Sequence, residues 1–177
     1  AGNQNLVSNT LSRTFDNTAP SLTSIVPTTT ISGPTNATTL SFTFTFDEPV
    51  QRFNDGADVV VNRTGSVTTG TPTVAAVSTS VYTVTVPNIA GDGTLSLAGS
   101  TTSDVADLTN NPLGASVTSS VITIDHTAPT VTVTPSTTGP TNATSASSIG
   151  QVNSPSPKVM FSTCSKVLAK VRVDRKW

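Results

Sequence analysis

The sequence predicts an all-β chain folded as an antiparallel two-sheet sandwich of about seven strands. Three observations predict it. Thr accounts for 35 of the 177 residues, and Thr and Val carry a branched Cβ that packs well on a pleated strand and poorly in a helix. Short stretches alternate apolar and polar residues, broken at close intervals by Gly, Pro, Asn and Asp. The pattern also recurs. Asp-Asn-Thr-Ala-Pro at 16–20 returns as Asp-His-Thr-Ala-Pro at 125–129, and Gly-Pro-Thr-Asn-Ala-Thr at 33–38 returns at 139–144. A matching alternating segment precedes each block, at 6–15 and 116–124. Two ordered matches at nearly one offset define an internal repeat.

Its phase divides the chain into the last strand of a preceding unit (1–16), one complete unit (17–125) and the start of another (126–177). In the complete unit, Leu22–Pro27 reads as the first strand. Thr39–Phe46 follows, with Phe42, Phe44 and Phe46 on one face and Thr43 and Thr45 on the other. Asp58–Arg63 and Val67–Val77 supply two more. Ser80–Pro87 turns Tyr82, Val84 and Val86 one way, Gly93–Ala98 presents Leu95 and Leu97, and Ser116–Ile124 presents Ile122 and Ile124. Seven short strands with one apolar face each suit two packed antiparallel sheets. In the last unit, Lys158–Cys164 and Val171–Asp174 are expected as second and third strands, so that unit stops short of a full sandwich. A partner or further chain is expected to complete it. Six of the nine basic residues fall between Lys158 and Trp177, where a basic binding tail is the alternative.

Composition excludes several functions. A net charge of −1 offers no broad basic face for nucleic acid. No apolar run reaches the ~20 residues of a membrane-spanning helix. Cys164 is the single cysteine and His126 the single histidine, so an intrachain disulfide and the usual zinc spacings are both out of reach. Cys164 and His126 lie about forty residues apart, His126 in a linker-like segment, and do not read as a catalytic pair. No nucleophile elbow, phosphate-binding glycine loop or His-Glu-x-x-His motif occurs. The chain is expected to be non-enzymatic.

Val-Ile-Thr-Ile-Asp-His-Thr-Ala-Pro-Thr-Val-Thr-Val at 121–133 resembles the unit boundary of bacterial Ig-like repeats in large secreted and surface proteins. Phe-Thr-Phe-Asp-Glu-Pro-Val at 44–50 is similar to their second-strand motif, and Asp104-Val-Ala-Asp-Leu-Thr-Asn-Asn-Pro112 to the loop before their last strand. The resemblance covers most of residues 1–144. It implies an Ig-like sandwich in tandem array, serving as a stalk or spacer of an extracellular adhesin, biofilm protein or secreted enzyme. The implied partners are neighbouring Ig-like domains or other copies in a fibre, with no nucleic acid and no membrane insertion. Two other readings stand beside it: a filament subunit that pairs by strand addition, and a carbohydrate- or ice-binding accessory module with exposed Thr rows.

Sandwich topology sends alternate connections to opposite poles. It gathers seven of the ten acidic residues (Asp16, Asp47, Glu48, Asp55, Asp58, Asp104 and Asp107) at the pole where a preceding domain abuts. Crowded carboxylates raise one another's pKa or recruit a cation. Calcium tolerates irregular loops of hard oxygen ligands. Asp16, Asp47, Glu48, Asp104, Asp107 and Asn110 are therefore the candidate calcium ligands, and calcium the one expected cofactor. The competing expectation is that these residues are simply turn formers bonded to nearby backbone amides. Asn36, Asn62 and Asn142 head Asn-x-Thr glycosylation patterns, which arise easily in so Thr-rich a chain.

Overall fold

The computed structural model describes residues 13–135 and 148–153. The chain divides into two compact units, with the boundary between Thr127 and Ala128. The first holds strands β1 (Leu22–Pro27), β2 (Leu40–Phe46), β3 (Val50–Gln51), β4 (Val59–Arg63), β5 (Thr73–Ala76), β6 (Val81–Val86), β7 (Gly93–Gly99), β8 (Ala106–Asp107) and β9 (Ile122–Ile124). The second holds β10 (Thr130–Pro135) and β11 (Ser148–Asn153). The expected strand at 6–15 lies mostly outside the described residues, and those at Lys158–Cys164 and Val171–Asp174 wholly so.

The first unit is all-β and sandwich-like. One sheet has the order β1-β2-β6-β5 and a second the order β4-β7-β9, with β3 and β8 as a small accessory pair. Every strand pairing is antiparallel. The alternation in β2 sets the layer between the sheets. Phe42, Phe44 and Phe46 are all buried, as are Tyr82, Val84 and Val86 on β6, Leu95 and Leu97 on β7, and Ile122 and Ile124 on β9. Register carries the pattern across the sheet, because Phe42 stands opposite Val84 and Phe44 opposite Tyr82. Burial of each such side chain stabilises the fold by about 1.5–3 kcal/mol. β1 departs from strict alternation, since Leu22 and Ile25 are both buried although three residues apart. A register shift between Leu22 and Ser24 rotates the strand enough for both to face inwards.

Several boundaries differ from the sequence reading, each for a local reason. Asp58 does not begin a strand. It closes the 3₁₀ turn Gly56–Asp58, where Asp55 and Asp58 cap each other's backbone. The stretch expected as one strand over Val67–Val77 narrows to β5, with Thr68 bridging Ala90 alone. Pro72 lacks the N–H that a continuous ladder needs. The last strand contracts from Ser116–Ile124 to Ile122–Ile124, with Thr118 retaining a single bridge to Ala98. Strands β3 and β8 are two residues each, too short to show a period. In the second unit the strand paired with β10 is β11, in register from Thr130↔Asn153 to Pro135↔Ser148. Its Ser-Ile-Gly-Gln-Val-Asn sequence does not alternate, so periodicity passes over it.

Truncating Phe44 to Ala is expected to cost about 3–5 kcal/mol in chemical denaturation, because its ring is fully buried against Phe53. Val121→Ser, at a position 65% exposed, is expected to change stability by no more than about 0.5 kcal/mol.

Candidate metal centre at the acidic pole

Three of the six candidate ligands converge. A carboxylate oxygen from each of Asp16, Glu48 and Asp107 lies within 4.8 Å of the other two. Asp16 comes from the segment leading into β1, Glu48 from the turn between β2 and β3, and Asp107 from β8. Asp16 is exposed, Glu48 half-buried and Asp107 only 1% exposed.

Asp107 is already saturated. Its Oδ1 accepts the backbone N–H groups of Thr109 and Asn111, both at 2.8 Å. Its Oδ2 accepts the Thr109 hydroxyl at 2.9 Å and the Asn111 side-chain amide at 2.8 Å. Two donors per oxygen occupy the lone-pair directions of an ionised carboxylate. Burial alone would push the Asp107 pKa up. The four bonds from Asn111 and Thr109 outweigh it and hold the group below its ordinary value. Glu48 goes the other way. Partial burial raises its pKa first, and the charges of Asp16, Asp107 and Asp47 add to the rise.

The other three candidates are engaged elsewhere. Asp47 Oδ1 accepts the Ser21 N–H at 2.8 Å while its own N–H bonds the Ser21 carbonyl at 3.0 Å, which clasps the start of β1 to the end of β2. Asp104 forms an ion pair with Arg52 at 3.6 Å, and Arg52 Nε also donates to the Asp104 carbonyl at 2.6 Å. Asn110 Oδ1 accepts from Gln51 at 3.0 Å and from Arg52 at 3.2 Å. Arg52 thus supplies, as a fixed side-chain cation, the positive charge that a metal would bring to Asp104 and Asn110. Asp55 and Asp58 serve the 3₁₀ turn, where Asp58 Oδ2 accepts the N–H groups of Asn54 and Asp55.

Asn111 is the residue that sequence reasoning missed. Besides Asp107, its side-chain amide lies within hydrogen-bonding reach of the carbonyls of Asp16 at 3.0 Å and Thr18 at 3.1 Å. The β8–β9 loop therefore grips the segment that leads into β1. The signal was faint, since nothing distinguishes Asn111 from Asn110 in sequence.

Calcium needs six to eight oxygens. Among the described residues only Asp16 and Glu48 bring carboxylate oxygens to this cluster that are not already filled by donors, and one Asp16 oxygen accepts the Thr18 N–H at 3.0 Å. A calcium ion here would take most of its ligands from backbone oxygens or water. The arrangement is a hydrogen-bonded loop core with one carboxyl, Glu48, partly buried and facing the charges of Asp16, Asp107 and Asp47.

Comparison with protein-family models, with curated proteins and with solved structures returns no match.

Two outcomes test this account. Asp107→Ala takes the acceptor from the backbone N–H groups of Thr109 and Asn111 beside a buried position, and is expected to lower the melting temperature far more than Asp104→Ala, whose carboxylate is exposed. Glu48 has its folded pKa raised, so its ionised form weakens the fold above that pKa, and the penalty vanishes as pH falls below the ordinary value of 4.5. Glu48→Gln is therefore expected to raise the melting temperature at neutral pH and to lose that advantage in melts below pH 4.5.

Proposed function

We propose that this chain is a structural spacer: a piece of a tandem array of Ig-like modules in an extracellular fibre or adhesin, with no catalytic role. The observation that carries the reading is the recurrence of one hairpin at the repeat offset. β10 occupies the positions equivalent to residues 21–26, and β1 spans Leu22–Pro27. Twelve residues separate β1 from β2, and twelve separate β10 from β11. The two hairpins share antiparallel pairing and nearly the same register. Strand order supports the Ig-like part. Setting aside the two-residue pair, the remaining strands of the first unit run first-second-fifth-fourth in one sheet and third-sixth-seventh in the other. That order matches the one expected of a constant-type immunoglobulin sandwich, which favours the Ig-like reading.

A spacer needs modules that fold independently and joints that limit backbone freedom. The first need is met by a core that closes within one unit. The second is served by Pro20 and Pro129 in the repeated Thr-Ala-Pro, since proline fixes its own φ and keeps the preceding residue extended. In this reading a calcium ion is held by Asp16 and Glu48 and draws its remaining ligands largely from water.

The repeat reading is tested by the flanking chain, where another Asp-x-Thr-Ala-Pro block is expected at a comparable spacing. Its absence on both sides would overturn the array. For calcium, equal melting temperatures with added calcium and with chelator would remove the ion from the account, and a rise abolished by Glu48→Gln would retain it. Light scattering separates the filament reading, which requires growth with concentration, from a spacer that stays monomeric.

A further inference from the structure

The repeated Asp-x-Thr segment is gripped by hydrogen bonds in both of its copies, and the two grips use different groups. After β9, Asp92 takes hold of the segment. Its Oδ1 accepts the His126 N–H at 2.6 Å and its Oδ2 accepts the Thr127 hydroxyl at 2.6 Å. The His126 ring adds a bond from Nδ1 to the Gly91 carbonyl at 2.9 Å, which requires the proton on Nδ1. Bonds to an ionised carboxylate are short and about twice as strong as neutral ones.

Asp92 is also held in place from behind. Its N–H bonds the Ser66 hydroxyl at 2.9 Å, and its carbonyl accepts the Ser66 N–H at 2.8 Å. The flanking Gly91 and Gly93 have φ of 80° and 147°, in the region that favours glycine. A Cβ on either would run into the backbone carbonyl of Ser66 or Thr64. The turn therefore presents the Asp92 carboxylate in one fixed position.

Before β1, the carbonyls are used instead. Asn111 Nδ2 gives one N–H to Asp107 Oδ2 and turns the other toward the carbonyls of Asp16 and Thr18, at 3.0 and 3.1 Å. Inside the segment the two copies fold alike. Thr18 N–H bonds Asp16 Oδ1 and Thr127 N–H bonds Asp125 Oδ1, both at 3.0 Å.

We propose that Asp-x-Thr is a two-sided joint: the sandwich before it holds the middle N–H and the Thr hydroxyl through Asp92, and the sandwich after it holds the carbonyl side of the segment through the Asn111 amide. No group serves both grips, so one linker can carry both at once. The two-sided use rests on the tandem-repeat reading, whereas each grip taken singly does not. Asp92 and Asn111 are accordingly positioning residues for the chain at the two ends of a module.

Amide ¹⁵N relaxation on the full chain tests the grips. In the unaltered protein, His126 and Thr127 are expected to match the rigid-backbone order parameter of about 0.85, and in Asp92→Ala to fall below about 0.6. Phe44, Leu97 and Thr18 should keep their values. Asn111→Ala is expected to loosen Thr18 and leave His126 unchanged. Thr127→Val removes one bond without touching the Asp92 turn, and should give a smaller loss at Thr127. Unchanged order at 126 and 127 in Asp92→Ala, or high mobility there already in the unaltered protein, would overturn the exit grip. A flanking chain without a further Asp-x-Thr-Ala-Pro block would remove the two-sided use and leave the separate grips standing.

Discussion

The first unit depends on burying the phenylalanine face of β2. Three rings on alternate positions of one strand cannot be shielded by that strand's own sheet, so a second sheet must cover them. Phe53 completes the layer. Its ring lies 5.6, 5.2 and 5.0 Å from those of Phe44, Phe46 and Tyr82, separations at which tilted and edge-on aromatic contacts add to the area term. Tyr82 then links the core to the acidic pole. Its hydroxyl, the one polar atom the ring brings inside, donates to the Val50 carbonyl at 3.0 Å and pins the β2–β3 turn that carries Asp47 and Glu48.

Around this core the Asp side chains act mainly as acceptors for loop backbone. Asp47 holds the start of β1, Asp58 caps its turn, Asp107 organises the 107–111 loop and Asp92 holds the exit segment. Loops leave N–H groups without a ladder partner, and a short carboxylate can reach two residues along the chain to satisfy them. Among the described residues no buried side-chain nitrogen or oxygen lacks a partner. In a chain with so few charges, most of the acids at one pole meet this need. Partial burial raises the pKa of Glu48, and the crowded carboxylates around it add to the rise.

The layer structure was legible in the chain before folding. Period-two patterning decides which face of β2, β6, β7 and β9 is buried, because one apolar face must leave water whatever the neighbours are. The second Asp-x-Thr-Ala-Pro spans the division between the two compact units. How long each strand runs and which acids meet were set by contacts between distant segments. Strand length depends on whether a partner lies alongside, which a proline such as Pro72 or a two-residue pairing such as β3 with β8 settles locally. Topology could bring seven acids to one pole, but pole membership is a matter of tens of residues and ligand geometry a matter of ångströms. The fold brings Asp16, Glu48 and Asp107 together, while Ser21, Gln51 and Arg52 compete as donors for Asp47, Asp104 and Asn110. Such competition between donors far apart in sequence exists only once the chain has folded.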